Sequence, residues 1–294
     1  MIEGNVFQFL LLRKSQVPAC ISLHDECIGG ILKFLLIIGR SVRGIFLILL
    51  VFGLQTNTLA DQYLTDSPKT MEYEQGAADL YCDLTKIKKA YALRAPGFEA
   101  SIGVMTDFQV RINIPAVISI THGQSTTYGY GDLDIGFKYR FIHETDTMPQ
   151  VAFYPKITLP SGNPDLRIGN GRDFERLPLW IQKTWKQWIL SGGGGYAIDH
   201  NPRKFNYVFG GILLRHVFNP ELTLGGELFA RGPVSLADHS VLFLNLGGTY
   251  NFTPNIFLLF SAAHSIAGIK TLKSFMGLGI TWGPPQASTA GEGL

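Results

Sequence analysis

Cysteine is nearly missing from this sequence. Only three occur in 294 residues, and two of them, Cys20 and Cys27, lie in the early segment. Cys82 alone cannot close an internal disulfide and offers no zinc-binding spacing. Charge is also sparse: Asp, Glu, Lys and Arg make up 16% of the chain, against about 25% in ordinary soluble domains. Setting aside the first 60 residues removes five basic residues (Arg13, Lys14, Lys33, Arg40, Arg43) and three acidic ones (Glu3, Asp25, Glu26). That leaves 20 of each sign, a balance that gives no electrostatic reason to expect a nucleic-acid partner. No apolar run approaches the roughly 20 residues of a transmembrane helix. After residue 60 no 3.6-residue period persists long enough to build a helical domain.

What the sequence has in place of these is alternation. Residues 131–141 read GDLDIGFKYRF. Leu133, Ile135, Phe137, Tyr139 and Phe141 fall on one face of an extended strand, and Asp132, Asp134, Gly136, Lys138 and Arg140 on the other. One side is apolar and the other charged. Such a ribbon suits a half-buried sandwich strand or a stave of a membrane barrel with lipid outside and a polar lumen inside. Length favours the stave, because tilted strands crossing a bilayer need about 9–11 residues and soluble strands average about 5–6.

Similar segments recur at 98–104, 110–114, 151–159, 176–185, 188–198, 205–218, 221–230, 240–252, 255–265 and 274–282. Short connections at 106–107, 143–148, 185–188, 219–220 and 253–255 alternate with longer ones at 119–130, 160–175, 199–204, 231–239 and 266–273. Outer-membrane barrels have short periplasmic turns and long external loops. If the short turns are periplasmic, one more strand must climb within residues 77–93 before the chain descends through Phe98. The expected fold is therefore all-β: a transmembrane antiparallel up-and-down β-barrel of about 12 strands, the even count that closure favours.

The apolar run at 44–54 (GIFLILLVFGL) has Arg40 and Arg43 before it and Thr58-Leu59-Ala60 after it. This order is that of a secretory signal peptide cleaved after Ala60. The extension before it is long for a basic leader, and a start near Val42 would leave residues 1–41 untranslated. The expected organisation is an extension and signal peptide over 1–60, a periplasmic lead-in over 61–76, the barrel over 77–283 and a tail over 284–294. In the last strand Gly277, Ile280 and Trp282 resemble the C-terminal signal read by the outer-membrane assembly machinery. Phe275 stands where that signal usually has a polar residue, and a tail follows the aromatic.

Several stretches together resemble the outer-membrane proteins of the MetA-pathway phenol-degradation, or "transporter", family. They are FEASIGVMTDFQVRINIP (98–115), residues 131–141, YPKITLPSG (154–162), LPLWIQKTWKQWILSGGGGY (177–196) and LNLGGTYNFTPNIFLLF (244–260). Their order covers about residues 95–283. The resemblance implies an outer-membrane barrel that passes small hydrophobic or aromatic compounds, and it brings no catalytic residues with it.

Enzyme motifs are few. Gly192 to Gly195 lack the Lys-Ser/Thr and the following helix of a phosphate loop. They suit close strand packing better. His122 with Ser125, and His264 with Ser265, are Ser/His neighbours that a lipid-acting enzyme could use, but neither pair sits in a motif. Asp165, Asp173 and Glu175 share a loop with Arg167, Arg172 and Arg176, which reads as a solvated, salt-bridged lid. Strand parity instead points Glu99, Arg111, Asp132, Asp134, Lys138, Arg140, Lys156 and Glu227 into the lumen, as an ion network that fills the barrel or as a ladder along a solute path.

The expectation is an outer-membrane channel or transporter for small solutes, in contact with outer-membrane lipid and its assembly machinery, with no cofactor, metal or catalytic residue. The alternatives are a surface-interaction barrel that binds partners through the 160–175 loop, and an outer-membrane enzyme acting on lipid.

Overall fold

The computed structural model describes residues 62–202, 204–233 and 240–284. The expected signal peptide, its cleavage point and nearly all of the tail lie outside the described residues.

Fourteen strand segments follow one another: β1 (Gly76–Ile87), β2 (Ala90–Met105), β3 (Phe108–Thr121), β4 (Thr127–Tyr130), β5 (Leu133–Ile142), β6 (Gln150–Phe153), β7 (Lys156–Leu159), β8 (Phe174–Trp185), β9 (Trp188–Asp199), β10 (Tyr207–Val217), β11 (Leu222–Pro233), β12 (Val241–Asn251), β13 (Ile256–Ala267) and β14 (Thr271–Trp282). Neighbours pair antiparallel, and β14 returns to β1 from Gly76↔Trp282 to Ile87↔Thr271, closing the sheet. β4 and β5 both pair with β3, while β6 and β7 both pair with β8. Each pair is one interrupted stave, so fourteen segments make a closed barrel of twelve staves. Closure leaves no unpaired sheet edge, which a structure crossing lipid requires.

The two interruptions have local causes. Pro155 separates β6 from β7 and has no N–H for the ladder, while its carbonyl accepts from the Phe137 amide at 2.9 Å. The neighbouring stave breaks at Gly131-Asp132, where Gly131 N–H donates to the Pro115 carbonyl at 2.8 Å. The stretch 131–141 is therefore not one continuous strand, although its alternation survives: Phe137, Tyr139 and Phe141 face outward and Lys138 is buried. The extra strand expected within residues 77–93 is present as β1. β1 ends at Ile87, and Lys88 at φ 53° turns the chain back into β2. Lys86, Lys88 and Lys89 belong to this turn and its approach.

Alternation puts apolar side chains outside all round the barrel. Leu80, Ile102, Ile112, Leu179, Ile181, Leu228, Leu246 and Leu278 are all exposed. At the short-turn end Trp185, Trp188, Phe218, Phe252 and Trp282 surround this band, and Tyr128 and Tyr130 stand on its other side. Amphipathic rings suit the two boundaries of a bilayer. The inner face carries Gln109, Asn113, Lys138, Gln182, Ser191, Glu227, Asn245 and Thr249, all buried.

Residues 62–75 do not form a periplasmic lead-in, as the sequence led us to expect. They turn inside and run along the inner wall. Gln62 reaches Thr249 on β12, Thr65 meets Glu227 on β11, Met71 meets Gln109 on β3, and Glu74 N–H donates to Gly103 on β2. Tyr63, Thr65, Asp66, Thr70 and Met71 are buried. An inner wall of polar side chains removed from bulk water needs partners, and this extended segment supplies a backbone acceptor at each residue and a donor at each but Pro68.

Candidate functional site: the barrel interior

Three strand residues, Glu227, Lys138 and Lys156, do most of the holding. Glu227 is 1% exposed. Its carboxylate accepts from the amide of Leu64 at 3.0 Å, from the amide of Thr65, and from Asn245 Nδ2 at 2.9 Å. Lys138 Nζ donates to the Ser67 carbonyl at 2.8 Å and the Lys69 carbonyl at 3.4 Å, and lies 4.4 Å from the centre of the Tyr154 ring. Lys156 Nζ pairs with Asp66 at 2.9 Å and faces the same ring at 4.3 Å. Both ammonium groups therefore lie over the Tyr154 ring. Gly136 leaves it room, since a Cβ there would come within 2.8 Å of the ring.

Other contacts continue the attachment. Met71 N–H donates to Gln109 at 3.1 Å, and Ser67 Oγ to Gln182 at 3.0 Å. Arg140 joins Glu72 at 3.1 Å to Asp107 in the β2–β3 turn. Burial, with Arg140 and Arg215 nearby, lowers the Lys69 ammonium to a pKa of about 8. Burial also raises the Tyr63 phenol. Both sit on the inner segment and not on the barrel wall.

Two more of the sequence-derived lumen residues, Glu99 and Arg111, pair with each other. Asn113 donates to Glu99 at 3.1 Å, and Arg111 to the Tyr154 hydroxyl at 3.3 Å. Asp134 accepts from Thr158 and faces Arg176 at 3.3 Å. Asp132 has a different role. It sits at the break between β4 and β5, where its carboxylate accepts from the amides of Gly162 at 2.9 Å and Asn170 at 2.6 Å. It anchors the 160–173 connection because the interruption in the stave frees it from strand parity.

The loop expectation changes as well. Arg167 donates to the Ser125 carbonyl at 2.7 Å and Arg176 turns inward to Asp134, so neither binds the loop's own acids. Asp173 and Glu175 face His200 at 3.5 and 3.7 Å instead. Among the described residues this is the one group with metal-ligand chemistry, its three donor atoms lying within 4.8 Å of one another. It stands at the outer rim, away from the interior.

Of the two Ser/His pairs, His264 with Ser265 has no catalytic geometry. His264 and Ser265 are consecutive on β13 and point to opposite faces, His264 exposed and Ser265 buried. Ser265 Oγ accepts from the Thr271 amide at 2.8 Å. The glycine run lies in β9 against β8 and β10. Gly193, at φ 141°, has space only for hydrogen beside the Trp180 ring. Of the assembly-signal residues, Ile280 and Trp282 lie exposed on the outside of the closing strand β14, and Gly277 is buried on its inner side. Phe275, out of place in that signal, stacks on Tyr81 with ring centres 5.4 Å apart.

A second feature of the interior is aromatic. Phe174 stacks with Tyr207 at 6.0 Å, Tyr207 meets Phe209 edge-on at 6.2 Å, and Phe209 contacts Phe229 at 6.1 Å and Trp180 at 6.3 Å. Trp180, Phe229, Phe243 and Tyr154 are buried in one cluster, against which Leu64 of the inner segment packs. Phe174, Tyr207 and Phe209 remain partly open. Sequence reasoning missed this wall, because it sorted inward residues by charge alone. Strand parity would have found it: in β8, Phe174 and Trp180 share the face of Arg176 and Gln182. The inner segment left no such signal. Its polarity is equally that of a free tail.

Residues 90–275 match the family described as "Putative MetA-pathway of phenol degradation". No curated protein matches the sequence. Solved structures do. An outer membrane channel from Pseudomonas putida F1 aligns with a TM-score of 0.62 at 12% identity, over 78% of this chain and 100% of that one. The NanC porin aligns with a TM-score of 0.52 at 10% identity, over 69% of this chain and 98% of that one. The translocator domain of the autotransporter NalP from Neisseria meningitidis aligns with a TM-score of 0.50 at 9% identity, over 70% and 87%. At these identities the likeness is one of fold: a closed outer-membrane-type barrel.

Proposed function

Because the chain belongs to the MetA-pathway phenol-degradation family, we propose that it is an outer-membrane channel for small aromatic or apolar solutes. The observation that carries this reading is the partly open aromatic wall of Phe174, Tyr207 and Phe209 inside a barrel whose outer face is apolar. An aromatic ring can move along such a surface from one ring contact to the next. The fold agrees, since similar barrels include an outer membrane channel and a porin. Residues 62–75 narrow the lumen, so passage requires the segment to shift or leaves only a narrow path beside it. Lys138, Arg140, Lys156 and Glu227 act as its seat, while Glu99, Arg111 and Asp134 pair within the wall. No enzymatic step is assigned: His264 and Ser265 point to opposite faces of β13.

The same reading places the protein in the outer membrane after cleavage following Ala60, with Gly277, Ile280 and Trp282 on the closing strand presented to the assembly machinery. Uptake by proteoliposomes tests the function. Phenol should enter faster than a polar, uncharged sugar of similar size. Absence of uptake by both the native chain and a variant with a loosened inner segment would refute a channel. For localisation, membrane-extracted protein should begin at Asp61, and peptides from residues 1–41 would contradict a start near Val42.

A further inference from the structure

The aromatic wall does not end in neutral surface. The Arg176 guanidinium lies 5.6 Å from the centre of the Phe174 ring, and that of Arg231 lies 5.9 Å from the centre of Tyr207. Phe174 and Tyr207 stack on each other. The result is a run of cation, ring, ring, cation across β8, β10 and β11. The register keeps these groups at one level: Arg176 and Tyr207 both pair with Ala197, and Phe209 pairs with Arg231. Each lies within three residues of the long-loop end of its strand.

Two further cations face the same space. Arg94, Arg231 and Arg176 all lie close enough to Lys273 on β14 to act on it electrostatically, as does Asp83. Two of the four cations have carboxylate partners, Arg176 with Asp134 at 3.3 Å and Arg94 with Asp83 at 3.5 Å. Arg231 and Lys273 have no ion pair among the described residues. The loop end of the interior therefore presents a partly open aromatic surface and an excess of positive charge.

Resting on the channel reading above, we infer that the preferred solutes are aromatic carboxylates. The ring of such an anion lies along Phe174, Tyr207 and Phe209, and its carboxylate meets Arg231 and Lys273. A guanidinium fits a carboxylate with two parallel hydrogen bonds, and the rings beneath hold its plane. A neutral phenol uses the rings alone. An aliphatic acid uses the charges alone. An aromatic ammonium ion meets like charge.

Four probes separate these cases in proteoliposomes at pH 7: benzoate, cyclohexanecarboxylate, phenol and benzylammonium. Benzoate should enter fastest and benzylammonium slowest. In the double variant Arg231→Gln with Lys273→Gln, the benzoate-to-phenol uptake ratio should fall about tenfold, the scale of losing two partly exposed charge contacts. Arg231→Lys should retain more of that ratio than Arg231→Gln. Benzoate entering no faster than cyclohexanecarboxylate or phenol, or a ratio unchanged in the double variant, would overturn the inference and leave the channel reading standing. No uptake of any probe, by the native chain or by a variant with a loosened inner segment, would overturn both.

Discussion

Replacing Glu227 with alanine should release the inner segment without opening the barrel. In the native chain this carboxylate, 1% exposed, accepts two backbone amides of the segment and the Asn245 amide. A hydrogen bond to a charged group contributes about 1.5–3 kcal/mol. The three share one acceptor, and the freed amides regain water once the segment leaves, so a net loss of about 3 kcal/mol is a fair figure. That corresponds to roughly a 150-fold shift toward the released form. The segment's exposure can be read directly with a thiol. Thr65→Cys in a processed chain carrying Cys82→Ser places the only thiol on the docked segment and leaves the Thr65 amide intact. Maleimide labelling in proteoliposomes should then accelerate by about two orders of magnitude in Glu227→Ala, and by less in Glu227→Gln, which keeps an acceptor oxygen. The heat-modifiable gel shift of the folded barrel should persist, because the wall keeps its ladders with β10 and β12. A labelling rate unchanged in a folded Glu227→Ala barrel would refute the assignment of Glu227 as the main seat.

Three other outcomes follow from the same geometry. Gly103→Val should also expel the segment, because its new Cβ would fall on the Glu72 and Met71 backbone. Faster labelling of the same reporter would show this, and a native rate would count against the close approach. Lys69 is lowered to about 8 from its ordinary 10.5, so between those values the released form binds more protons than the docked one. Docking should therefore tighten as pH rises from about 8 to 10.5 and stay flat below 8. Labelling of the Thr65→Cys reporter, divided by that of a free thiol at each pH, should slow across that window with Lys69 present but not in Lys69→Met, and a slope of opposite sign would contradict it. Trp282→Ala on the exposed end of the closing strand should lower the yield of heat-modifiable protein in the outer-membrane fraction several-fold. Undiminished yield would leave Trp282 an ordinary interfacial aromatic.

The amino-acid order alone determined that this is a barrel. Period-two alternation over strands long enough to cross a bilayer, with short and long connections taking turns, leaves few other ways to satisfy both faces. Strand parity likewise pointed Lys138, Lys156 and Glu227 inward, since a one-residue change would put each against lipid. Tertiary structure decided what those residues touch. Nothing local distinguishes residues 62–75 from a free polar tail, and their place inside depends on Glu227, Lys138 and Gln109, which come together only when twelve staves close. The break at Gly131-Asp132, which turns Asp132 toward the 160–173 connection, depends on neighbouring staves in the same way. So does the aromatic wall. Phe174, Tyr207 and Phe229 lie on three different strands, and their stacking is a property of register across the sheet, which no single segment contains.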